Sequence, residues 1–302
     1  MFLMFSHFWA TALQGPDGIG AMETDFMDLA HIARLYAVLF IAGVGLNVWL
    51  VTRFSQISEL WPWRVRRLMR RPWGWVDIMR VLSVLLVLHV VVLLVTRTVE
   101  WLDRWPLEQV SAVWVVLHSV ALHWATIGLI WFFACQRNIS WRAGFAHKKW
   151  SCVDGLWRGV TAYLLVVPYL LFYSGLYYMW LQWTGRDPQP QEVVNIMRDL
   201  APGFLYYYLI ALALILAPIS EELLFRGLLL PALARRAGTG AAIVASSFLF
   251  ALIHFHVPSL VPLFVFSVAL SLAYIYTRSI VVPIVMHGIF NAISLWAMTQ
   301  AF

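Results

Sequence analysis

Long apolar runs broken by short polar connections set the pattern of this chain, with no sustained two-residue alternation of the kind a half-buried strand would show. A run of about 20 apolar residues is the length of a membrane-crossing helix, and about eight candidate runs can be marked out. They are roughly Leu35–Thr52, Val81–Thr96, Val110–Cys135 and Val160–Trp183, then a run that starts near Gly203 and continues past Pro218, then Ala241–Phe255, Leu260–Thr277 and Ile280–Ala301. The expected fold is all-α, a polytopic transmembrane helix bundle of about eight spans. The chain shows no internal repeat and no low-complexity tract.

Composition supports a bilayer as the solvent. Apolar residues make up 62% of the chain and charged residues 12%, against about 45–50% and about 25% in a soluble domain. The 17 Trp and 11 Tyr suit the membrane–water interface, where amphipathic rings collect. The net charge of +6 is placed in loops and does not call for a nucleic-acid partner. Basic connections fall on alternate sides of the predicted spans. Arg53, Arg64, Arg66, Arg67, Arg70, Arg71 and Arg80 lie in one, Arg137, Arg142, Lys148, Lys149 and Arg158 in another, and Arg235, Arg236 and Arg278 in two later turns. The positive-inside rule assigns that side to the cytoplasm and both termini to the other. Cys135 and Cys152 then sit near a cytoplasmic loop, where a disulfide is not expected. Met1–Leu13 is apolar but has no basic n-region. It reads as an interfacial or partly inserted start rather than a signal peptide. The stretch Trp61–Trp75 interleaves Trp61, Trp63, Trp73 and Trp75 with arginines. It reads as an interfacial helix on anionic headgroups, or as a docking site for a substrate or partner.

Strongly polar groups inside a bilayer are costly and usually mark a functional cavity. The second half of the chain concentrates them. Glu221 and Glu222 interrupt an apolar run from Phe204 to Leu233, within Pro218-Ile219-Ser220-Glu221-Glu222-Leu223-Leu224-Phe225-Arg226-Gly227. Glu222 and Arg226 share a helix face and can pair. Glu221 points about 100° away and is left to act as a base. A carboxylate kept from bulk water suits general-base work near neutral pH. The alternative is that both glutamates pair with Arg226 as a packing network. His254 ends the sixth run, one turn after Phe250, and His287 shares a face with Asn291. Two donors on one face can hold an oxyanion. Either histidine alone reads as an interhelical hydrogen-bonding residue, and so do His89, His118, His123 and Asn47. His256 reads as interfacial. Depth agrees for Glu221 and His254, each roughly 20–25 Å along its helix from the turn at Gly238–Gly240 at about 1.5 Å per residue. His287 is shallower, which a partly extended Ser279–Val282 before Pro283 would offset.

Glu-Glu-x-x-x-Arg, Phe-x-x-x-His and His-x-x-x-Asn, in that order on successive polar spans, resemble the CPBP family, also called Abi, which includes the eukaryotic CAAX-box endoprotease. Ala217-Pro218, Phe225-Arg226-Gly227 and Tyr276-Thr277-Arg278-Ser279 resemble it too. The likeness covers roughly 161–301. It divides the chain into an N-terminal membrane region, 1–159, and a catalytic membrane core, 160–302. The resemblance implies an intramembrane endopeptidase. Glu221 would activate a water with help from His254, Glu222 and Arg226 would brace the site, and His287 and Asn291 would form the oxyanion hole. No cofactor is favoured, because no His-Glu-x-x-His pair is present. The alternative is zinc on Glu221, His254 and His287, with one position open. The implied substrate is a membrane protein or a lipidated or leader peptide, met in the bilayer of the cell membrane (in a bacterium, the inner membrane). Two other functions fit a buried Glu/His cluster: a proton-coupled transporter, or a non-catalytic immunity or scaffold protein of the same fold. Transporters often carry internal repeats with broken helices in both halves, whereas here the carboxylates occupy one half.

Overall fold

The computed structural model describes residues 19–101, 116–145, 151–186, 191, 196–197 and 200–300. The expected interfacial start at Met1–Leu13 lies outside them. The described residues are helical, with no strand among them. In chain order the helices are α1 (Ile19–Thr52), α2 (Phe54–Met69), α3 (Trp75–Trp101), α4 (Val116–Gln136), the single turn α5 (Trp141–Gly144), α6 (Cys152–Trp183), α7 (Phe204–Ala237), α8 (Thr239–Leu252), α9 (Leu260–Thr277) and α10 (Val281–Gln300). Among the described residues six segments are long and apolar enough to cross a membrane: one each in α1, α3, α4, α6 and α7, and Val257–Thr277, which ends in α9. Thr239–Leu252 and Val281–Ala297 are apolar but shorter. The chain is a multi-pass membrane helix bundle.

The long helix α6 runs through residue 159, where the sequence suggested a boundary. It packs on α1 from the N-terminal region and on α9 and α10 from the core. The two regions are therefore joined through a shared element. Small residues set the spacing. A Cβ at Gly155 would lie 2.7 Å from Val281 Cγ1, and one at Gly159 would lie 2.5 Å from the Cβ of Val285. Close backbone approach at small residues is a common way for helices to associate in lipid, where no hydrophobic force drives them together. Asn47 ties α1 to α6 by donating to the carbonyl of Leu165 at 2.8 Å, the interhelical role expected for it.

The basic connections meet on one face. Arg71 donates to the carbonyls of Ala143 and Arg278, each at 2.9 Å. Arg235 donates to the carbonyls of Arg71 at 3.0 Å and of Trp73. Burial, followed by the charges of Arg64, Arg67 and Arg71, holds the Arg278 guanidinium below its ordinary value. Part of the Trp-rich stretch departs from expectation. Helix α2 stops at Met69, and Trp73 is fully buried, stacked on Phe145 at 5.2 Å. Trp73 is thus core rather than a headgroup anchor. Phe145 in turn lies against Gly227, where a Cβ would come within 2.7 Å of the ring. Together Trp73 and Phe145 make a floor under α7.

That floor explains the depth of His287. The amide of Ile280 donates to the carbonyl of Phe145 at 2.9 Å, and Ser279 and Ile280 are buried. Helix α10 therefore starts inside the bundle. Arg278 turns the chain in the left-handed region (φ 60°), and the helix is regular from Val281 rather than extended to Val282. Pro283 falls in the first turn, where a missing amide hydrogen is no loss.

Gly159→Leu is expected to separate α6 from α10 and lower the denaturation temperature in detergent, a cost of about 1–3 kcal/mol or more for overpacking. Gly175→Leu on the same helix, with nothing within 4 Å of its Cβ position, is expected to leave it nearly unchanged.

Candidate active site

Helix α7 is not uniform. Two π-helical turns, Leu212–Leu216 and Leu223–Leu229, flank the regular segment Ala217–Glu222. Such π-turns are rare and concentrate at functional sites. Between them the helix presents Glu221 and Glu222, and Arg226 follows in the second π-turn.

Glu222 and Arg226 form a buried ion pair of 2.8 Å, with side chains 0% and 1% exposed. Arg226 also donates to the hydroxyl of Ser267 at 2.6 Å and to its carbonyl at 3.2 Å. Its guanidinium stands 4.7 Å from the centre of the Phe250 ring. Charge, hydrogen bonds and an aromatic face thus compensate the loss of water around Arg226.

His287 meets both glutamates. Its Nδ1 lies 2.9 Å from Glu222 Oε1, and its Nε2 lies 3.8 Å from Glu221 Oε2. An ionised Glu222 only accepts, so Nδ1 carries the hydrogen and Nε2 is the atom turned to Glu221. Glu221 is 18% exposed, and its Oε2 is buried with no hydrogen-bond partner among the described residues. The site therefore holds one carboxylate bound through Oε1 to both Arg226 and His287, and a second, partly exposed one with no cation on it; the Oε2 atom of each is buried without a hydrogen-bond partner among the described residues.

His254 stands at the C-terminal end of α8, half-buried, with Nδ1 2.7 Å from the Phe250 carbonyl. A carbonyl only accepts, so Nδ1 is protonated and Nε2 carries the free lone pair. Phe250 is the common neighbour, with its ring centre 4.9 Å from that of His254, 5.7 Å from that of His287 and 5.2 Å from that of Phe225. Asn291 donates from Nδ2 to the carbonyl of Ala213 at 2.7 Å. That bond commits one of its two amide hydrogens to the first π-turn and leaves its second hydrogen and its oxygen. Gly288, next to His287, lets α10 approach α7: a Cβ there would lie 2.9 Å from the Leu214 carbonyl.

One histidine that reads as a packing residue in the sequence proves to border this site. His123, on the π-turn Val120–Trp124 of α4, is 2.6 Å from the hydroxyl of Ser220, the residue before Glu221. Glu221 and His287 are close enough to act on it electrostatically. Its partner is 97 residues away, so no local spacing could have pointed to it. His89 and His118 pack edge to face at 4.7 Å, and His256 bonds Ser259 at 2.7 Å in the loop after α8. Among the described residues no three His, Cys, Asp or Glu side chains are gathered in a way that could hold a metal ion.

Arg226→Met is expected to leave Glu222 buried without its cation and to cost about 3–5 kcal/mol, read as a lower denaturation temperature in detergent. Adding Glu222→Gln to that variant is expected to recover most of the loss.

Residues 203–293 match the family model described as Type II CAAX prenyl endopeptidase Rce1-like. No curated protein and no solved structure matches the chain. The matched segment contains Glu221, Glu222, Arg226, His254, His287 and Asn291, and excludes His123 and the Trp73–Phe145 floor. The described family is one of proteases. Over residues 203–293 the chain is similar to the Rce1-like family of CPBP proteins.

Proposed function

We propose that this protein is an intramembrane endopeptidase of the cell membrane. It hydrolyses a peptide bond in a membrane-associated protein or in a lipidated or leader peptide. The observation that carries the reading is the uncommitted inner oxygen of Glu221, 3.8 Å from His287 Nε2 and beside a glutamate already held by Arg226. A polar separation above about 3.5 Å is the kind that a bridging water fills.

In the proposed reaction Glu221 takes a proton from a water, and the hydroxide adds to the scissile carbonyl carbon. His254 assists through Nε2, the acceptor left by its bond to Phe250. The oxyanion receives hydrogen bonds from Asn291 Nδ2 and from His287 Nε2. His287 can donate there only as the doubly protonated ring, because Nδ1 is committed to Glu222. Glu221 then passes its proton to the leaving nitrogen, the carbon–nitrogen bond breaks, and the products are a carboxylic acid and an amine. Base and oxyanion donors of this kind supply a large part of the rate in acyl transfer. Glu222, Arg226 and Ser267 touch no reacting atom and hold the site in register.

Purified protein in detergent is expected to cleave members of a membrane-peptide library, and Glu221→Gln and His254→Ala to lose cleavage by about 100-fold or more. Survival of wild-type cleavage in a chelator supports the metal-free glutamate mechanism. Loss to the chelator with recovery in zinc would move Glu221, His254 and His287 to metal ligands. Full activity in Glu221→Gln would overturn the role given to that residue.

A further inference from the structure

The hydrogen bond between α4 and α7 has a direction. Ser220 Oγ lies 3.0 Å from the Ala217 carbonyl and 2.6 Å from His123 Nδ1. A hydroxyl has one hydrogen, and the carbonyl can only accept it. Giving it to Ala217 leaves the serine oxygen to accept from His123, the arrangement in which both bonds are made. In that arrangement the imidazole is the Nδ1–H tautomer, with its lone pair on Nε2. Ser220 is 2% exposed, so no bulk water competes for either bond.

The segment that this chain of bonds grips is short. Ala217–Glu222 has a π-turn at each end. Such turns lack the regular i to i−4 ladder that would otherwise lock one rotation of the helix onto the next. The rotation of Ala217–Glu222 decides where Glu221 points. Glu222 is held by Arg226 and His287 from one side. From the side of α4, His123 grips Ser220.

We propose that His123 is a positioning residue for Glu221: its Nδ1–H clamps Ser220 and fixes the aim of the base. The inference rests on the endopeptidase reading above and extends it to the N-terminal region, since α4 lies outside the matched residues 203–293. His123 need not touch substrate. Its effect is expected on kcat, because an error of about 1 Å in the base costs on the order of 100-fold in rate.

The test compares four variants with wild type and with Glu221→Gln on one substrate. His123→Leu and Ser220→Ala are each expected to lower kcat by roughly 10- to 100-fold with KM little changed, and the double variant to be no worse than the poorer single one. His123→Asn places an amide N–H near the position of Nδ1 and is expected to recover activity to within about threefold. Wild-type kcat in His123→Leu, alongside an inactive Glu221→Gln, would overturn the role of His123 and leave that of Glu221 standing. Equal losses in His123→Leu and His123→Asn with lowered denaturation temperatures would reduce His123 to packing and overturn the proposal. A readout independent of catalysis is the nitrogen NMR spectrum of labelled histidine. It is expected to show His123 as the Nδ1–H tautomer, altered by Ser220→Ala, and an Nε2–H tautomer in wild type would overturn the clamp.

Discussion

A cation and an anion buried together in a bilayer-spanning bundle constrain everything around them. Neither Arg226 nor Glu222 can be left without the other, because a lone buried charge costs several kcal/mol. Helix α9 answers with Ser267, α8 with Phe250 and α10 with His287. Three helices are thereby fixed against α7 by one pair of side chains. The pair also separates two neighbouring carboxylates by task. Glu222 is committed on the side of Arg226 and His287, and Glu221 keeps an oxygen for chemistry.

The backbone makes room for this arrangement in ways that regular helices would not allow. The π-turns before and after Ala217–Glu222 change the winding of α7 on either side of the segment that carries Glu221 and Glu222. Gly288 brings α10 to α7 beside His287, and Gly155 and Gly159 bring it to α6. Close approach in lipid depends on such small residues. The polar constellation and the glycine contacts are therefore two aspects of one packing solution.

Much of this was legible in the order of residues. The apolar runs gave the helices, and the four-residue step from Glu222 to Arg226 gave their pairing, because both follow from local periodicity. The three motifs pointed to Glu221 on α7, His254 at the end of α8, and His287 and Asn291 on α10. Contacts at long separation were not legible. Nothing near His123 announces Ser220, and nothing near Trp73 announces Phe145, since each pair is made by tertiary packing. The π-turns were hidden for a related reason: they keep the composition of an apolar helix and change only its winding. The entry of α10 was not legible either, because the buried level of Ser279 and Ile280 is set by a floor from another part of the chain.

The floor of Trp73 and Phe145 beneath Gly227 bears on how such a protein can be taken apart. The stretch recognisable as a family domain begins at residue 203, yet the ring that fills the notch at Gly227 and the carbonyl that seats Ile280 both belong to Phe145. A chimera cut at the edge of the recognised stretch would carry the charges and leave behind the surface that seats them. Grafts between such proteins should therefore exchange the segments around 73, 145 and 227 as one set, because the unit that works is larger than the unit that is recognised.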